Sequence, residues 1–177
     1  MERLERASVL LSLVETLRSR GSWASETHFQ KSTYFLQELL QVPLEFEFIL
    51  YKHGPFSFDL REELSAMLAD SFLKCEPQPP FGPSLLPGLA SDVLKRQYPL
   101  PPGVAPKIEY VAGKLGPKRV VELERLATAL FVTLEGKADD TGRAGRICEL
   151  KPHIHAAQAQ QAVQEVDEIR REALERN

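Results

Sequence analysis

Tyr51-Lys52-His53-Gly54-Pro55-Phe56-Ser57-Phe58-Asp59-Leu60 decides how this chain folds. It follows a strand-like run, Phe46-Glu47-Phe48-Ile49-Leu50, and leads into a helical pattern that ends near Leu68. Gly54 can take a positive φ, and Pro55 fixes its own φ while holding Gly54 extended, so the pair predicts one sharp corner. Ser57 is placed to cap the helix that follows, and Asp59, Glu62 and Glu63 put negative charge at its positive end. Leu60, Leu64, Met67 and Leu68 recur at helical spacing and give that helix one face to bury.

Upstream of the corner, Leu4, Ala7, Leu11 and Val14, flanked by Leu10, Leu13 and Leu17, predict an amphipathic helix closed by Gly21. A second helix is expected from Thr27, where Thr27-His28-Phe29-Gln30 has capping-box spacing, to Pro43. Downstream, Phe72-Leu73-Lys74-Cys75-Glu76 reads as a short strand with Ser84-Leu85-Leu86 as its returning partner. Pro77, Pro79, Pro80, Gly82 and Pro83 between them demand an exposed edge hairpin.

Helix, helix, strand, helix, hairpin is the order of a winged helix-turn-helix. The expected fold is therefore mainly α (α+β), with a short β-hairpin wing and additional C-terminal helices. The winged-helix-like domain is expected over 1–98, with a C-terminal helical extension over 103–177 packed on it. Pro99-Leu100-Pro101-Pro102-Gly103 marks the boundary. Within the extension, apolar spacing predicts helices around Ile108–Leu115, around Val120–Leu134 and from Pro152 to the C-terminus, with 136–145 as a polar loop.

The chain has 177 residues with 22 Lys+Arg against 25 Asp+Glu, a net charge of -3, and so no overall attraction to nucleic acid or an anionic membrane. No apolar run approaches the roughly 20 residues that span a bilayer. Met1-Glu2-Arg3-Leu4-Glu5-Arg6 is a charged amphipathic start rather than a secretory signal. Cys75 and Cys148 form no metal-ligand pattern and are expected as free thiols, so a cytoplasmic setting is the simplest.

Thr27-His28-Phe29-Gln30-Lys31 with Tyr34-Phe35-Leu36, and Tyr51-Lys52-His53-Gly54-Pro55-Phe56-Ser57 with Leu60 and Leu64, resemble the YwgA-like proteins. That group is related in pattern to the Panacea (SocA-like) antitoxin domains, through a Gln-Lys-aromatic-Leu helix and a Tyr-x-x-Gly-Pro-aromatic-Ser corner. Leu126-Ala127-Thr128 to Val132, Ile147 and Leu150-Lys151-Pro152-His153-Ile154 resemble the C-terminal helices of the YwgA-like group. YwgA-like proteins are largely uncharacterised, while Panacea domains bind and neutralise partner proteins. The resemblance therefore implies a non-enzymatic, antitoxin- or defence-associated interaction module of bacterial type.

The residues themselves point the same way. A winged helix invites DNA binding, but Asp59, Arg61, Glu62, Glu63 and Asp70 make the reading helix acidic, and phosphate would repel it. DNA is accordingly the second reading. His153-x-His155 lacks a nearby Cys or carboxylate at a familiar spacing, so no metal is assigned. Ser57 lacks the Gly-x-Ser-x-Gly elbow, and Gly136-Lys137-Ala138-Asp139-Asp140 is no phosphate loop, so neither a catalytic residue nor a cofactor is assigned. The expected partner is another protein, met by Tyr51, His53, Gly54, Pro55, Phe56, Ser57 and Phe58, because alternating aromatics along extended chain cannot all face inward. Phe81, Leu85, Leu86 and Leu89 form a second apolar group, open to the C-terminal helices or to a second copy of the chain.

Overall fold

The structure, a computed structural model, describes residues 1–79, 81–136 and 140–174. Among the described residues it is mainly helical, with eight helices and two separate two-stranded antiparallel hairpins. No helix is long and apolar enough to cross a membrane, and Cys75 and Cys148 are free thiols. The chain divides into two compact units, and the division is discontinuous: Met1–Phe48 with Ser57–Lys118, and Ile49–Phe56 with Arg119–Asn177. The short hairpin between the second and third helices thus belongs with the C-terminal helices. The proline-rich segment 99–103, expected as the boundary, lies inside the first unit.

The first unit is built around α1 (Arg3–Ser19), which packs on α2 (Glu26–Glu38), α4 (Ser91–Gln97), α5 (Val104–Leu115) and strand β4 (Phe81–Pro87). Neighbours on several sides bury Val9, Leu10 and Leu13 as well as Ala7, Leu11, Val14 and Leu17, so α1 carries apolar residues over most of its surface. The cap of α2 is Ser25 rather than Thr27. Ser25 is the last residue with extended backbone (φ -67°, ψ 166°), and its Oγ accepts from the His28 amide at 3.4 Å. Ser25 also bridges to Ser84, and the Leu85 amide donates to the Ala24 carbonyl at 3.0 Å. This ties the connection between α1 and α2 to the hairpin of β3 (Leu73–Gln78) and β4, whose register pairs Lys74 with Leu86 and Cys75 with Leu85. Among the described residues β3 has no strand beyond it and β4 meets only residues 24 and 25 on its outer side, which leaves room for Pro77 and Pro83. Gly88 closes the hairpin against Phe72, and a Cβ there would meet the Ser71 carbonyl oxygen at 2.2 Å.

The strand expected at Phe46–Leu50 is only partly formed. Val42, Leu44 and Phe46 are buried alternately, but Glu45 takes φ 63° and the polar partner of Phe46 is a side chain. The Gln37 amide donates to the Phe46 carbonyl at 2.8 Å and accepts from the Phe46 amide at 2.8 Å. Two turns earlier on α2, Gln30 does the same to Ser57, donating to its carbonyl at 2.9 Å and accepting from its amide at 3.0 Å. Ser57 in turn caps α3 (Phe58–Ala69), its Oγ accepting from the Leu60 amide at 3.1 Å, as the sequence leads one to expect. Leu60, Leu64 and Met67 are buried, and Arg3 neutralises Glu63 at 3.2 Å and Asp70 at 2.7 Å.

In the second unit, α6 (Val120–Glu135), α7 (Asp140–Leu150) and α8 (Ala156–Leu174) pack on one another, and strand β2 (Gly54–Phe56) packs on α6. Most of the loop expected at 136–145 is instead α7. Its order comes from Arg143, which donates to Asp167 on α8 at 2.9 and 2.7 Å and to Thr133 on α6 at 3.0 Å. Asp139 and the side chains of Asp140 and Phe81 lie outside what the structure describes.

Two measurements test this description of the first unit. Gln30→Leu leaves the buried Ser57 amide without a partner and is expected to lower unfolding free energy by about 2–4 kcal/mol in urea. Ser57→Ala is expected to cost about 1 kcal/mol. A neutral Gln30→Leu contradicts the clamp. Separately, His28 is buried, its Nε2 donating to the Lys118 carbonyl at 2.9 Å and its Nδ1 accepting from Ser25 Oγ at 3.1 Å. Burial holds this imidazole below its ordinary range, an effect the Lys118 carbonyl partly opposes. Below about pH 6.5 the unfolded chain takes the proton first, so stability is expected to fall as pH falls. His28→Gln should flatten that part of the pH–stability curve; an unchanged slope would contradict the assignment.

Candidate functional site

The corner is a hairpin. Strand β1 (Ile49–Tyr51) turns through Lys52 and His53 into β2, pairing Ile49 with Phe56, Leu50 with Pro55 and Tyr51 with Gly54. Gly54 takes φ 84°, the left-handed conformation that the turn requires and that glycine adopts without a steric cost. Pro55 has no N–H to give, so it fits only opposite Leu50, where the ladder bonds run through the pairs on either side.

This register sorts the side chains. Leu50 and Pro55 share one face, and Pro55 is buried. Ile49, Tyr51 and Phe56 share the other, where Gly54 leaves room for the Tyr51 ring to lean diagonally across to Phe56, centroid to centroid 5.7 Å. Ile49 remains 43% exposed and Tyr51 52%.

The turn is pinned from beneath. Lys151, just beyond the end of α7, is only 6% exposed, and its ammonium donates to the carbonyls of Tyr51 and Lys52, the latter at 2.7 Å. Glu124 on α6, also 6% exposed, lies 3.9 Å from the same ammonium. Its Oε1 is 3.1 Å from His153 Nε2, and its Oε2 is 3.7 Å from His53 Nδ1. Burial pushes the Lys151 ammonium pKa down, and Glu124 opposes that shift. A buried cation with two carbonyl acceptors and a carboxylate beside it is a fastening, because its protons are committed to fixed partners.

The expected contact residues therefore take different parts. Tyr51 is exposed with its ring against the half-buried Phe56, and His53 sits at the turn toward Glu124. Gly54 and Pro55 are buried and set the backbone. Ser57 is fully buried, with its backbone and hydroxyl engaged by Gln30 and Leu60, so it positions α3 instead of offering a surface. Phe58 is 48% exposed and belongs to the first unit. In the second apolar group Leu85 is buried while Leu89 is almost wholly exposed.

His153 turns to Glu124, and the His155 backbone amide donates to Gln158 Oε1 at 3.2 Å at the start of α8. Among the described residues, no three His, Cys, Asp or Glu side chains are grouped to hold a metal ion. Glu124 and Lys151 are what the sequence reading missed. The signal for Glu124 was a charge lying within the apolar arc of α6, next to Leu123 and one turn before Thr128, both buried. No family model matches the chain, and no curated protein matches it significantly.

Removing the pin tests its role. Lys151→Met strands the Glu124 carboxylate in a buried position and is expected to cost about 3–5 kcal/mol in denaturant unfolding. The double substitution Lys151→Met with Glu124→Leu should recover a substantial part of that loss. A neutral Lys151→Met, or a double variant no better than the single, contradicts the fastening.

Proposed function

We propose that this chain is a non-enzymatic protein-interaction module, antitoxin- or defence-associated in kind, that acts in the cytoplasm through the hairpin corner. The observation that carries the reading is the Ile49–Tyr51–Phe56 face. Large apolar side chains stand open to solvent on a strand pair whose turn is held by a buried lysine. A pre-organised apolar patch loses little conformational freedom on binding, and aromatic anchors are the residues that dominate protein interfaces.

In this reading the first unit is a winged helix. Support comes from the order α1, the Ser25 bridge, α2, α3 and the β3–β4 hairpin, with Ser25 meeting Ser84 on the wing. The same order favours DNA binding as the second reading, and two features weigh against it. Residues 39–57 separate α2 from α3, whereas a helix-turn-helix joins its helices through roughly three to four residues. The exposed charges of α3 include Asp59 and Glu62, and its Arg61 lies 3.5 Å from Glu26.

The test is affinity purification from the native host with three chains: wild type, Tyr51→Asp, and Leu134→Asp as a control at another exposed apolar position. A single protein recovered in near-equal amount with wild type and Leu134→Asp, and lost with Tyr51→Asp, is the expected outcome. Recovery of no stoichiometric partner, or of one indifferent to Tyr51→Asp, overturns the reading. Binding of random duplex at low ionic strength would move DNA to first place.

A further inference from the structure

We infer that β1 is a self-pairing edge: two copies of this chain join antiparallel through Leu50 into one four-stranded sheet, β2–β1–β1–β2. The inference concerns the edge of the hairpin, so it stands apart from the interaction-module reading, which concerns its face. The ladder decides which groups point outward. Pro55 has no N–H, so the bonds between the strands run through Ile49 with Phe56 and Tyr51 with Gly54. The Leu50 N–H and C=O are therefore aimed away from β2. The sheet ends at β1, and among the described residues neither group has a hydrogen-bond partner. Burying a backbone donor and acceptor in that state is costly, which leaves this edge facing water.

The other strand edges among the described residues are guarded. β2 presents the buried Pro55 on its outer side, where an incoming strand would find no donor. β4 is met by Ser25 and by the Ala24 carbonyl, and β3 carries the exposed Lys74 and Pro77. Proline and lysine are residues that keep sheet edges from joining. Ile49, Leu50 and Tyr51 include neither, and none of the three is buried.

Three residues that alternate about one outward-facing centre are self-complementary. A two-fold axis beside Leu50 sets it against Leu50 of the second copy as a hydrogen-bonded pair, exchanging both N–H···O=C bonds. The same axis sets Ile49 opposite Tyr51 of the second copy, twice, as close pairs about 4.5 Å apart at Cα. Aromatic against β-branched is a favourable cross-strand combination, and both members are open to it, Ile49 at 43% exposure and Tyr51 at 52%. The pairing also brings the two Ile49–Tyr51–Phe56 faces side by side, so each copy extends the apolar face of the other. The contact is short, so the dimer is weak and reversible, with a dissociation constant on the order of 100 μM.

The experiment is sedimentation velocity on the full chain from micromolar concentration to about 1 mM, with variants whose folding is checked by circular dichroism. The wild type is expected to pass from monomer to dimer over that range. Ile49→Lys/Tyr51→Lys places like charges opposite each other at both crossings and is expected to weaken dimerisation about tenfold or more. Ile49→Lys/Tyr51→Glu removes the same apolar surface but places an ammonium opposite a carboxylate, and is expected to keep the dimer. Leu50→Pro removes the outward N–H, which β2 does not use, and is expected to be monomeric. Register is read by disulfide trapping in a Cys75→Ser/Cys148→Ser background. Ile49→Cys and Tyr51→Cys chains are expected to cross-link when mixed and not when each is alone, because position 49 faces position 51.

A wild type that stays monomeric at about 1 mM overturns the inference. So does a dimer that Ile49→Lys/Tyr51→Lys or Leu50→Pro leaves intact, or an opposite-charge variant as weak as the like-charge one. Absence of the mixed cross-link, or cross-linking of either cysteine chain with itself as fast as with the other, overturns it as well. None of these results bears on the host purification, which judges the face separately.

Discussion

Two glutamine amides on one helix hold the main chain where it leaves the first unit and where it returns. A primary amide carries both a donor and an acceptor in a plane, like a peptide group, so one side chain can complete both hydrogen bonds of a residue that has no strand beside it. Gln37 does this for Phe46 and Gln30 for Ser57. Leaving a buried amide unpaired costs more than an ordinary hydrogen bond gains, so these pairings decide where extended chain can lie against α2. Gln30 matters most, because Ser57 is also the cap from which α3 starts.

The second unit holds its hairpin by a charged device instead of a neutral one. Lys151 and Glu124 are both buried, and burying a charge is unfavourable unless geometry and partners compensate for it. Here the compensation is supplied by the Tyr51 and Lys52 carbonyls, the opposing carboxylate, and a histidine at 3.1 Å. Such an arrangement specifies one position for the turn more than it adds stability. It also explains why the aromatic face beyond the turn stays presented: the backbone beneath Tyr51 is tied, and the ring rests on Phe56. Local order is thus concentrated under the residues proposed to meet a partner.

Much of the helical content was legible because local rules and burial agreed. Ser57, Asp59 and the Leu60–Leu64–Met67 spacing specify α3 without outside help, and the β3–β4 pairing could be read from Leu73–Glu76 and Ser84–Leu86 on either side of the prolines. The failures have physical causes. The strand expected over Phe46–Leu50 pairs only from Ile49, because Gln37 takes both the amide and the carbonyl of Phe46. The region 136–145 reads as a loop because Gly142 and Gly145 carry no helical preference, and its order as α7 comes from the Arg143–Asp167 pair between two helices. Thr27 and Ser25 are chemically equivalent caps, and the bridge from Ser25 to Ser84 places extended backbone at Ser25.

The sequence by itself determined most of the helices, the Ser57 cap of α3 and the freedom of Gly54 to take a positive φ, because each depends on neighbours within a few positions along the chain. Tertiary structure alone decided that Lys151 and Glu124 lie beneath Tyr51 and Lys52, and that residues 49–56 join the C-terminal helices. Those pairings bring together groups far apart in sequence, and a buried charge chooses its partner by distance in space, which no local pattern records.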